Sequence, residues 1–376
     1  MLHVSPVNDR QKMRQFIRLP WSIYADDPAW VPPLMLERKE HLSPHNPYFE
    51  HARYQSWIAD RNGTAVGRIS AQIDQLHIDQ GREYEGFFGM IEAEDNAETF
   101  GALLNTAETW LVNHGMQRVL GPYSLSINQE PGLLVDGFDT PPYLMMGHAR
   151  PYYAPHIENY GFKKAKDLLA YIIDGDFKAS PAMQAITRRA EGRVRIRSLR
   201  KSHFDADLKI IGDIFNDAWS QNWGFIPFTK KEFEQLGKNF KLLVDYELIK
   251  IAEVDGIPAA MLVVAPNLNE AIRDLNGRLL PFGWLKLLWR LKVRFPQTAR
   301  IPFMGVRRQY QDSLLGAALA FMMIQDAQVQ AIKRGIRKVE MSFILEDNMG
   351  MRNIIESISG IVHKRYRVYS KDLKTP

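Results

Sequence analysis

Two neighbouring arginines, Arg307 and Arg308, lie between a short apolar run, Ile301 to Val306, and a long apolar stretch with helical spacing, Leu314 to Ile332. The first run predicts a strand and the second a helix. The first N–H groups of a helix have no partner inside it, and the helix dipole favours negative charge at that end. Backbone donors and guanidinium groups together could therefore hold a pyrophosphate. The alternative is a basic surface turn before a core helix.

The elements around this turn follow from its boundary residues. Asp312 or Ser313 can cap the helix, and Gly335 can end it. A strand, a short helix and a final strand come next: Lys338 to Leu345, about Met349 to Ser359, and Ile361 to Tyr369. This order of elements predicts an α/β (α+β) fold built on a mixed sheet.

The order of elements resembles the acyl-CoA N-acyltransferase superfamily known as GNAT. That family's turn carries Gln/Arg-x-x-Gly-x-Gly/Ala, and Gln311, Leu314 and Gly316 occupy the matching positions, so leucine replaces the first glycine. Asn348 falls where the family has an asparagine at a strand end. The resemblance implies acyl-CoA as co-substrate, its thioester carbonyl lying on the strand backbone from Met304 to Val306. It also implies that the CoA phosphates contact Arg307, Arg308, Gln311, Leu315, Gly316 and Ala317.

Composition limits the function further. The 376 residues are 45% hydrophobic and 24% charged, as in a folded protein with room for two domains. A net charge of +5 and a pI near 9.1 favour acidic partners such as nucleotides, CoA or anionic lipid headgroups, but are too small to indicate nucleic acid. The lack of cysteine excludes disulfides, zinc-thiolate sites and a covalent thioester enzyme.

Other catalytic classes find no support in the sequence. His41, His45 and His51 lie close together, but Pro44 prevents a helical pairing of the first two, and no converging Asp, Glu or Cys accompanies them. We therefore expect no metal site. Neither a Gly-x-Ser-x-Gly elbow nor a Walker glycine loop is present, which argues against a serine hydrolase and a P-loop ATPase.

The N-terminal residues lack the apolar core of a signal peptide. The longest uninterrupted apolar run, Ala317 to Ile324, is too short to span a bilayer. We expect a cytoplasmic protein that can still contact the inner membrane peripherally.

Three landmarks recur in the same order in the two halves of the chain. They are a hairpin turn, the end of a long helix and the end of a later, short helix, marked by the glycine pairs Gly63/Gly256, Gly115/Gly335 and Gly161/Gly360. This repeat predicts two tandem GNAT-like domains, residues 1–178 and 194–376, joined by a linker helix in 179–193. The alternative is one large α/β domain. Because residues 90–96 of the first copy are acidic, we expect CoA to bind the second copy only, with the first as a lid.

The first half carries a surplus loop, Ser126 to Arg150, which mixes carboxylates with Pro/Gly turns and apolar residues. Desolvation could raise the pKa of a carboxylate there, so that it accepts a proton from an ammonium substrate. Glu130 is the first choice as base and Asp136 the second; capping a turn is the alternative role. Tyr366 or Tyr143 could protonate the departing thiolate.

The GNAT resemblance implies that the region after the first helix of the second copy borders the site of the amine acceptor. Trp219 and Trp223 could line an apolar channel after the helix Ala206 to Phe215, although plain core packing is the alternative. The full set of acceptor candidates is Asn128, Asn216, Trp219, Asn222, Trp223 and Glu270.

The second half also has extra residues relative to the first, and they lie within Pro266 to Gln297. Lys286, Arg290 and Arg294 are four apart and would share one helical face, with leucines and tryptophans on the others. Such a basic helix with tryptophans, spanning residues 279–295, suits the surface of an anionic membrane. It could equally cover the second domain with its arginines in water.

Segments at 24–33, 133–139, 222–225 and 266–270 resemble the tandem-GNAT group that includes bacterial ceramide synthases. That resemblance implies N-acylation of a sphingoid-type amino lipid by a long-chain acyl thioester, carried by CoA or by acyl carrier protein. Two other functions stay open. One is a tandem-GNAT aminoacyl or peptidyl transferase, and the other is a non-catalytic acyl-CoA or lipid-binding protein.

Overall fold

The computed structural model describes residues 1–374, which form two compact units. Unit 1 comprises Met1–Leu168, Leu275–Leu279 and the chain from Lys364 on; unit 2 comprises Leu169–Asp274 and Leu280–His363. The predicted second domain ran to the C terminus, whereas the structure assigns the last strand, from Lys364 on, to unit 1.

Unit 1 is built on an antiparallel set of strands to which one parallel strand is added. In chain order its strands are β1 (Leu2–Pro6), β2 (Ala52–Arg61), β3 (Thr64–Asp74), β4 (Glu85–Ala93), β5 (Arg118–Gly121), β6 (Tyr123–Ser124), β7 (Glu130–Pro131), β8 (Leu133–Asp136) and β9 (Lys163–Asp174), which continues into unit 2. Strands β1 to β4 pair antiparallel in sequence order, and β5 then pairs parallel with β4.

The helices of unit 1 are mostly short. They are α1 (Arg10–Arg18), α2 (Pro20–Ile23), α3 (Met35–His41), α4 (Gln75–Ile78), α5 (Ala97–Asn113) and α6 (Tyr153–Asn159). The long helix, α5, connects β4 to β5 and begins at Asn96, whose side chain accepts hydrogen bonds from the N–H groups of Glu98 and Thr99. Gly115 follows it with φ +84°, the left-handed conformation that ends a helix at low cost.

Unit 2 repeats this topology. Its strands are β10 (Val194–Ser198), β11 (Ile249–Val254), β12 (Ile257–Pro266), β13 (Thr298–Val306), β14 (Lys338–Leu345) and the first residues of β15 (Ile361–Asp372). Strands β10 to β13 pair antiparallel in order, and β14 pairs parallel with β13. The two units therefore share one strand order, which confirms the predicted tandem repeat of one α/β topology.

The helices of unit 2 include the predicted long helix after the arginine turn. They are α7 (Pro181–Ala190), α8 (Phe204–Trp219), α9 (Lys230–Leu243), α10 (Leu268–Ile272), α11 (Gly283–Trp289), α12 (Leu314–Lys333) and α13 (Met349–Ser357). Helix α7 starts at Ser180-Pro181, as the sequence predicts for the linker region, because Ser180 caps it and proline fits the first helical turn.

Helix α12 connects β13 to β14. By length and composition alone it could cross a membrane, which the shorter apolar run considered above could not. Half of its apolar window is buried inside the protein, including Leu319 and Met323, which are fully buried. This burial is typical of the core helix of an α/β layer.

Candidate functional site

The turn between β13 and α12 has the features of an anion site. Ser313 caps α12, its Oγ accepting from the N–H of Gly316 at 3.0 Å. Asp312 before it adopts a positive φ of +56°. In the described part of the chain, the N–H groups of Ser313, Leu314 and Leu315 find no acceptor. Consecutive free N–H groups at a helix start form a concave donor surface for an anion.

The two arginines differ in what they can offer an anion. Arg307 donates from Nε to the carbonyl of Pro258 at 2.9 Å. Arg308 is exposed, and no carboxylate among residues 1–374 lies within ion-pair distance of its guanidinium. Its backbone N–H instead donates to Asp217 of α8 at 2.9 Å, which fixes the turn. Arg308 is therefore the cation that can reach a phosphate without losing a partner.

The residues that match the family motif maintain the conformation of the turn. Gln311 donates from Nε2 to the carbonyls of Ala218 and Val306, at 2.9 Å and 2.8 Å, so this amide holds the turn together. A side chain at Gly316 would overlap the carbonyl oxygen of Tyr310, so the turn requires glycine here. Leu314, where the family has glycine, points its side chain into solvent. The leucine therefore leaves the N–H groups accessible.

Strands β13 and β14 separate in front of this turn. Their parallel ladder runs from Thr298/Lys338 to Ile301/Met341 and then ends, whereas β13 stays paired with β12 as far as Val306. Because the sheet opens there, one edge of β13 from Phe303 on is available to a ligand. We call this opening the unit 2 cleft.

The hydrogen-bond alternation of an antiparallel pair shows which backbone groups face the cleft. The backbone N–H of Arg307 donates to the carbonyl of Ala259 on β12, so the backbone N–H and C=O groups of Gly305 and Phe303 also face β12. The backbone N–H and C=O groups of Met304 and Val306 then point away from β12. Consistently, the carbonyl of Met304 accepts from Trp219 Nε1 at 3.1 Å, and that of Val306 accepts from Gln311. The N–H groups of Met304 and Val306 thus face the cleft, where the family resemblance implies the thioester carbonyl.

An aromatic cluster covers one side of β13. Phe303 packs against Phe215 of α8, with ring centroids 5.7 Å apart. The rings in contact with one another there are Phe215, Trp219, Phe225, Phe228, Phe233, Phe240 and Phe303. Phe228, Phe233 and Phe240 remain half-buried, so this side of the cleft offers apolar surface for a hydrocarbon chain.

The other sequence-predicted residues of unit 2 have structural contacts. Asn216 bonds both the N–H and the carbonyl of Phe228 and so orders the loop after α8. Glu270 accepts from the N–H groups of Gln297 and Thr298, at 3.0 Å each. Asn348 caps α13 through the N–H of Met351. Asn222 and Trp223 lie half-buried in the loop after α8, near the aromatic cluster in sequence.

Sequence reasoning missed a buried polar network where β13 and β14 separate. Arg300 donates from Nε to Ser342 Oγ at 2.8 Å and lies 3.9 Å from the Glu340 carboxylate. Ser342 donates to Glu340 at 2.7 Å, and His363 contacts the other Glu340 oxygen at 2.8 Å. Ser342 and His363 follow Arg300 by 42 and 63 positions in the sequence, and no motif marks them. They connect the two strands next to the last ladder pair.

The equivalent opening in unit 1 is filled. The parallel ladder between β4 and β5 ends at Phe87/Leu120, and the chain beyond it packs back on β4. A side chain at Gly89 would overlap the carbonyl oxygen of Tyr123. Gln72 donates to this oxygen at 3.0 Å, and Tyr123 is buried. No open strand edge like that of the unit 2 cleft remains at this position.

The start of helix α5 is also unlike the start of α12. The side chain of Asn96 accepts hydrogen bonds from the N–H groups of Glu98 and Thr99 at this helix start. Three acidic residues, Glu94, Asp95 and Glu98, lie next to it in the sequence. Arg61 binds Glu94 and Glu98 at 3.1 Å and 2.9 Å. Carboxylates thus already neutralise this helix end, as the acidic sequence of residues 90–96 suggested.

The carboxylate chosen first as base, Glu130, lies in unit 1 and forms an ion pair with Arg38 at 2.8 Å. Burial is the largest single influence and acts to raise its pKa, but the charge and hydrogen bond of Arg38, with smaller contributions from His41 and Arg68, together hold the pKa below its usual value. The expectation of a raised pKa was therefore wrong. Asp136 is exposed at the end of β8 and so lacks the desolvated surroundings that this expectation required.

The remaining candidates from the first half also belong to unit 1. Tyr366 is buried and donates to the carbonyl of Gly147 at 3.2 Å, and Tyr143 is buried too. Asn128 lies half-buried in the loop before β7, its N–H donating to Ser126 Oγ. Among the described residues, no group of three or more His, Cys, Asp and Glu side chains converges as metal ligands would.

The comparisons with known proteins identify relatives over almost the whole chain. No profile of a known protein family matches it. The chain is 47% identical to Protein YghO of Escherichia coli K12 over 366 residues, covering 97% of this chain and 94% of that protein. It is 46% identical over 377 residues to the bacterial ceramide synthase of Caulobacter vibrioides, covering 99% and 98% of the two chains.

Solved structures share the fold. A tandem GNAT protein from the clavulanic acid biosynthesis pathway matches with a TM-score of 0.57 at 12% identity, over 100% of this chain and 99% of that one. A GCN5-related N-acetyltransferase from Sphaerobacter thermophilus matches with a TM-score of 0.53 at 13% identity, over 99% and 96% of the two chains.

Proposed function

Because this chain is an N-acyltransferase of the tandem GNAT type and belongs to the family of the Caulobacter bacterial ceramide synthase, we propose that it joins a long-chain acyl group to a sphingoid-type amino lipid. Enzymes of this type take the acyl group from acyl-CoA and pass it to an amine. The acyl thioester would occupy the unit 2 cleft. The reaction would take place in the cytoplasm, where acyl-CoA is available.

The observation that carries the proposal is the open edge of β13 beside the free helix start of α12. The N–H groups of Met304 and Val306 face the cleft and can hold the thioester carbonyl, while those of Ser313, Leu314 and Leu315 can hold the pyrophosphate. The residues present therefore fit acyl-CoA. The half-buried rings on the α8 side supply apolar contact for an acyl or lipid chain.

The reaction needs little beyond position and an oxyanion donor. The neutral amine attacks the thioester carbon, the C–S bond breaks, the amine loses a proton and the thiolate gains one. Charge that develops on the carbonyl oxygen is stabilised by the β13 N–H groups, which are already held in place by pairing with β12. Unit 1, with its filled opening and acidic helix start, would bind no CoA.

An assay of thiol release from palmitoyl-CoA tests this proposal, with and without sphinganine and with simpler amines, the amide being identified by mass spectrometry. We expect an amide that forms only with a long-chain base. Replacing Arg308→Ala should raise the KM for palmitoyl-CoA about tenfold, the worth of one charge-assisted contact to phosphate. Arg337→Ala, an exposed arginine beyond the other end of α12, is the matched control and should leave KM unchanged.

Each other outcome has a distinct meaning. Amide formation from simpler amines, but not from sphinganine, would refute the lipid acceptor and keep the acyl transfer. Transfer from aminoacyl-tRNA alone would favour an aminoacyl transferase, and activity only with an acyl carrier protein donor would change the donor. Binding of acyl-CoA without any product would favour a binding protein.

A further inference from the structure

The insertion between β12 and β13 leaves a dense set of large apolar side chains in water. Seven of them, within 14 residues, are between 45% and 79% exposed: Leu280, Phe282, Trp284, Leu285, Leu288, Trp289 and Val293. Scattered single apolar residues are ordinary on a protein surface, but a contiguous group marks an interaction site. We call residues 280–294 the apolar insertion.

The insertion is held on unit 2 by its other side. Helix α11 passes into a π-helical turn, Arg290–Arg294, within which Leu291 is buried. Arg290 donates to the carbonyl of Ala271 at 2.7 Å, and both Arg290 and Lys286 bind Asp274. These contacts orient the segment, so that its exposed apolar residues belong to a folded element.

The charges of the insertion have one sign. It contains four basic residues, namely Lys286, Arg290, Lys292 and Arg294, and no carboxylate. Asp274 binds the first two and balances one of their two charges, so part of the basic face predicted for Lys286, Arg290 and Arg294 is engaged within the protein. Lys292 and Arg294 are exposed and, within residues 1–374, have no ion-pair partner. Two exposed cations therefore lie at the C-terminal end of the apolar group, of which Lys292 is near enough to Asp245 to help lower the pKa of that carboxyl.

We propose that the apolar insertion docks unit 2 on a phospholipid bilayer with anionic headgroups. Leucine, phenylalanine and valine side chains would enter the acyl boundary, tryptophans suit the headgroup level, and Lys292 and Arg294 complement anionic headgroups. The combination of apolar burial with unpaired positive charge favours a bilayer over a second protein, for which two unpaired cations would need carboxylates. The inference goes beyond the acyl transfer and does not depend on it.

Vesicle flotation of the full chain, without acyl-CoA or amine, tests the proposal. Vesicles of equal parts phosphatidylcholine and phosphatidylglycerol should carry the protein upward, and pure phosphatidylcholine should carry at least several-fold less. The double substitution Trp284→Ser/Trp289→Ser should reduce binding about tenfold or more, because it removes two exposed apolar anchors. Lys292→Glu/Arg294→Glu should remove the preference for phosphatidylglycerol.

The matched control is Ile257→Ser/Ile332→Ser, which removes two comparably exposed apolar side chains elsewhere on unit 2. It should bind vesicles like the wild type. Thermal melts of all variants confirm folding before binding is compared. Equal binding by the tryptophan variant and the wild type would overturn the proposal, as would no vesicle binding. A wild-type dimer that the tryptophan substitutions dissociate would assign the surface to a second copy instead.

Discussion

At the scale of single residues, Glu130 shows how one partner decides the chemistry of a carboxylate. Arg38 binds it through two nitrogens, at 2.8 Å and 3.3 Å. The pair keeps Glu130 ionised at neutral pH, because the pKa lies below its usual value. A carboxylate in this state is a structural ion-pair partner and a poor proton acceptor at neutral pH.

His41, beside the same pair, gives unit 1 a pH dependence. Burial and the charge of Arg38 lower the pKa of His41 to about 4, whereas an unfolded histidine titrates near 6.5. The unfolded chain therefore binds more protons between these values, and stability falls as pH drops through this window, by at most about 1.4 kcal/mol per unit. His41→Gln should lose less stability than the wild type in urea unfolding between about pH 7 and pH 4.5.

Exposed His45 provides the control for this experiment. His45→Gln should keep the wild-type pH dependence. If His41→Gln also keeps it, His41 does not titrate as its buried position requires.

Gly316 is the residue on which the shape of the anion turn depends. Gly316→Ala would drive a methyl group into the carbonyl of Tyr310 and push the turn away from α12. We expect acyl-CoA binding, measured by calorimetry, to weaken at least tenfold. Gly350→Ala in α13 meets nothing closer than 3.8 Å and should leave binding unchanged. Equal affinities in the two variants would show that the turn does not hold the phosphates.

At the scale of elements, the cleft exists because β14 leaves β13 after four ladder pairs. The network of Arg300, Glu340 and Ser342 lies beside this point and joins the two strands with buried, charge-assisted bonds. It is well placed to fix where the sheet opens.

Substituting one member should therefore be costly. Arg300→Met removes the guanidinium beside the buried Glu340 carboxylate and leaves it with Ser342 and His363 as partners, and we expect a loss of about 3 kcal/mol in unfolding free energy. Arg300→Met/Glu340→Gln should recover part of this loss, because the uncompensated charge is gone. Chemical denaturation of wild type, both single variants and the double variant measures the coupling. Additive losses would mean that the two side chains do not interact.

At the scale of the whole molecule, two copies of one topology carry different helix starts between their fourth and fifth strands. The cap of α12, Ser313, adjoins free N–H groups, whereas the cap of α5, Asn96, is surrounded by carboxylates. The two copies thus differ in that one has a helix start with free N–H groups and the other has a helix start surrounded by carboxylates.

Matched cap substitutions test this division. Ser313→Ala and Asn96→Ala should each cost about 1 kcal/mol of stability, the usual worth of an N-cap. Only Ser313→Ala should also raise the KM for acyl-CoA in the thiol-release assay. If Asn96→Ala raised this KM to the same extent, the first copy would take part in acyl-CoA binding.

The sequence alone determined the elements and their order. A helix cap at Asp312 or Ser313, glycine stops at Gly115 and Gly335, and strand and helix periodicity are local signals, so they predict the repeat and the turn without knowledge of the fold. The resemblance to a known family extended this reading to acyl transfer, and Leu314, the departure from the family motif, has an exposed side chain.

Only the tertiary structure decided which groups meet. Arg38 and Glu130 are 92 residues apart, and Arg300 and Ser342 are 42 apart, so no spacing rule could pair them. The direction of the Met304 and Val306 N–H groups depends on the strand register, and the exposure of the apolar insertion depends on what else packs beside it. Register and burial are properties of long-range contacts, which a local pattern does not contain.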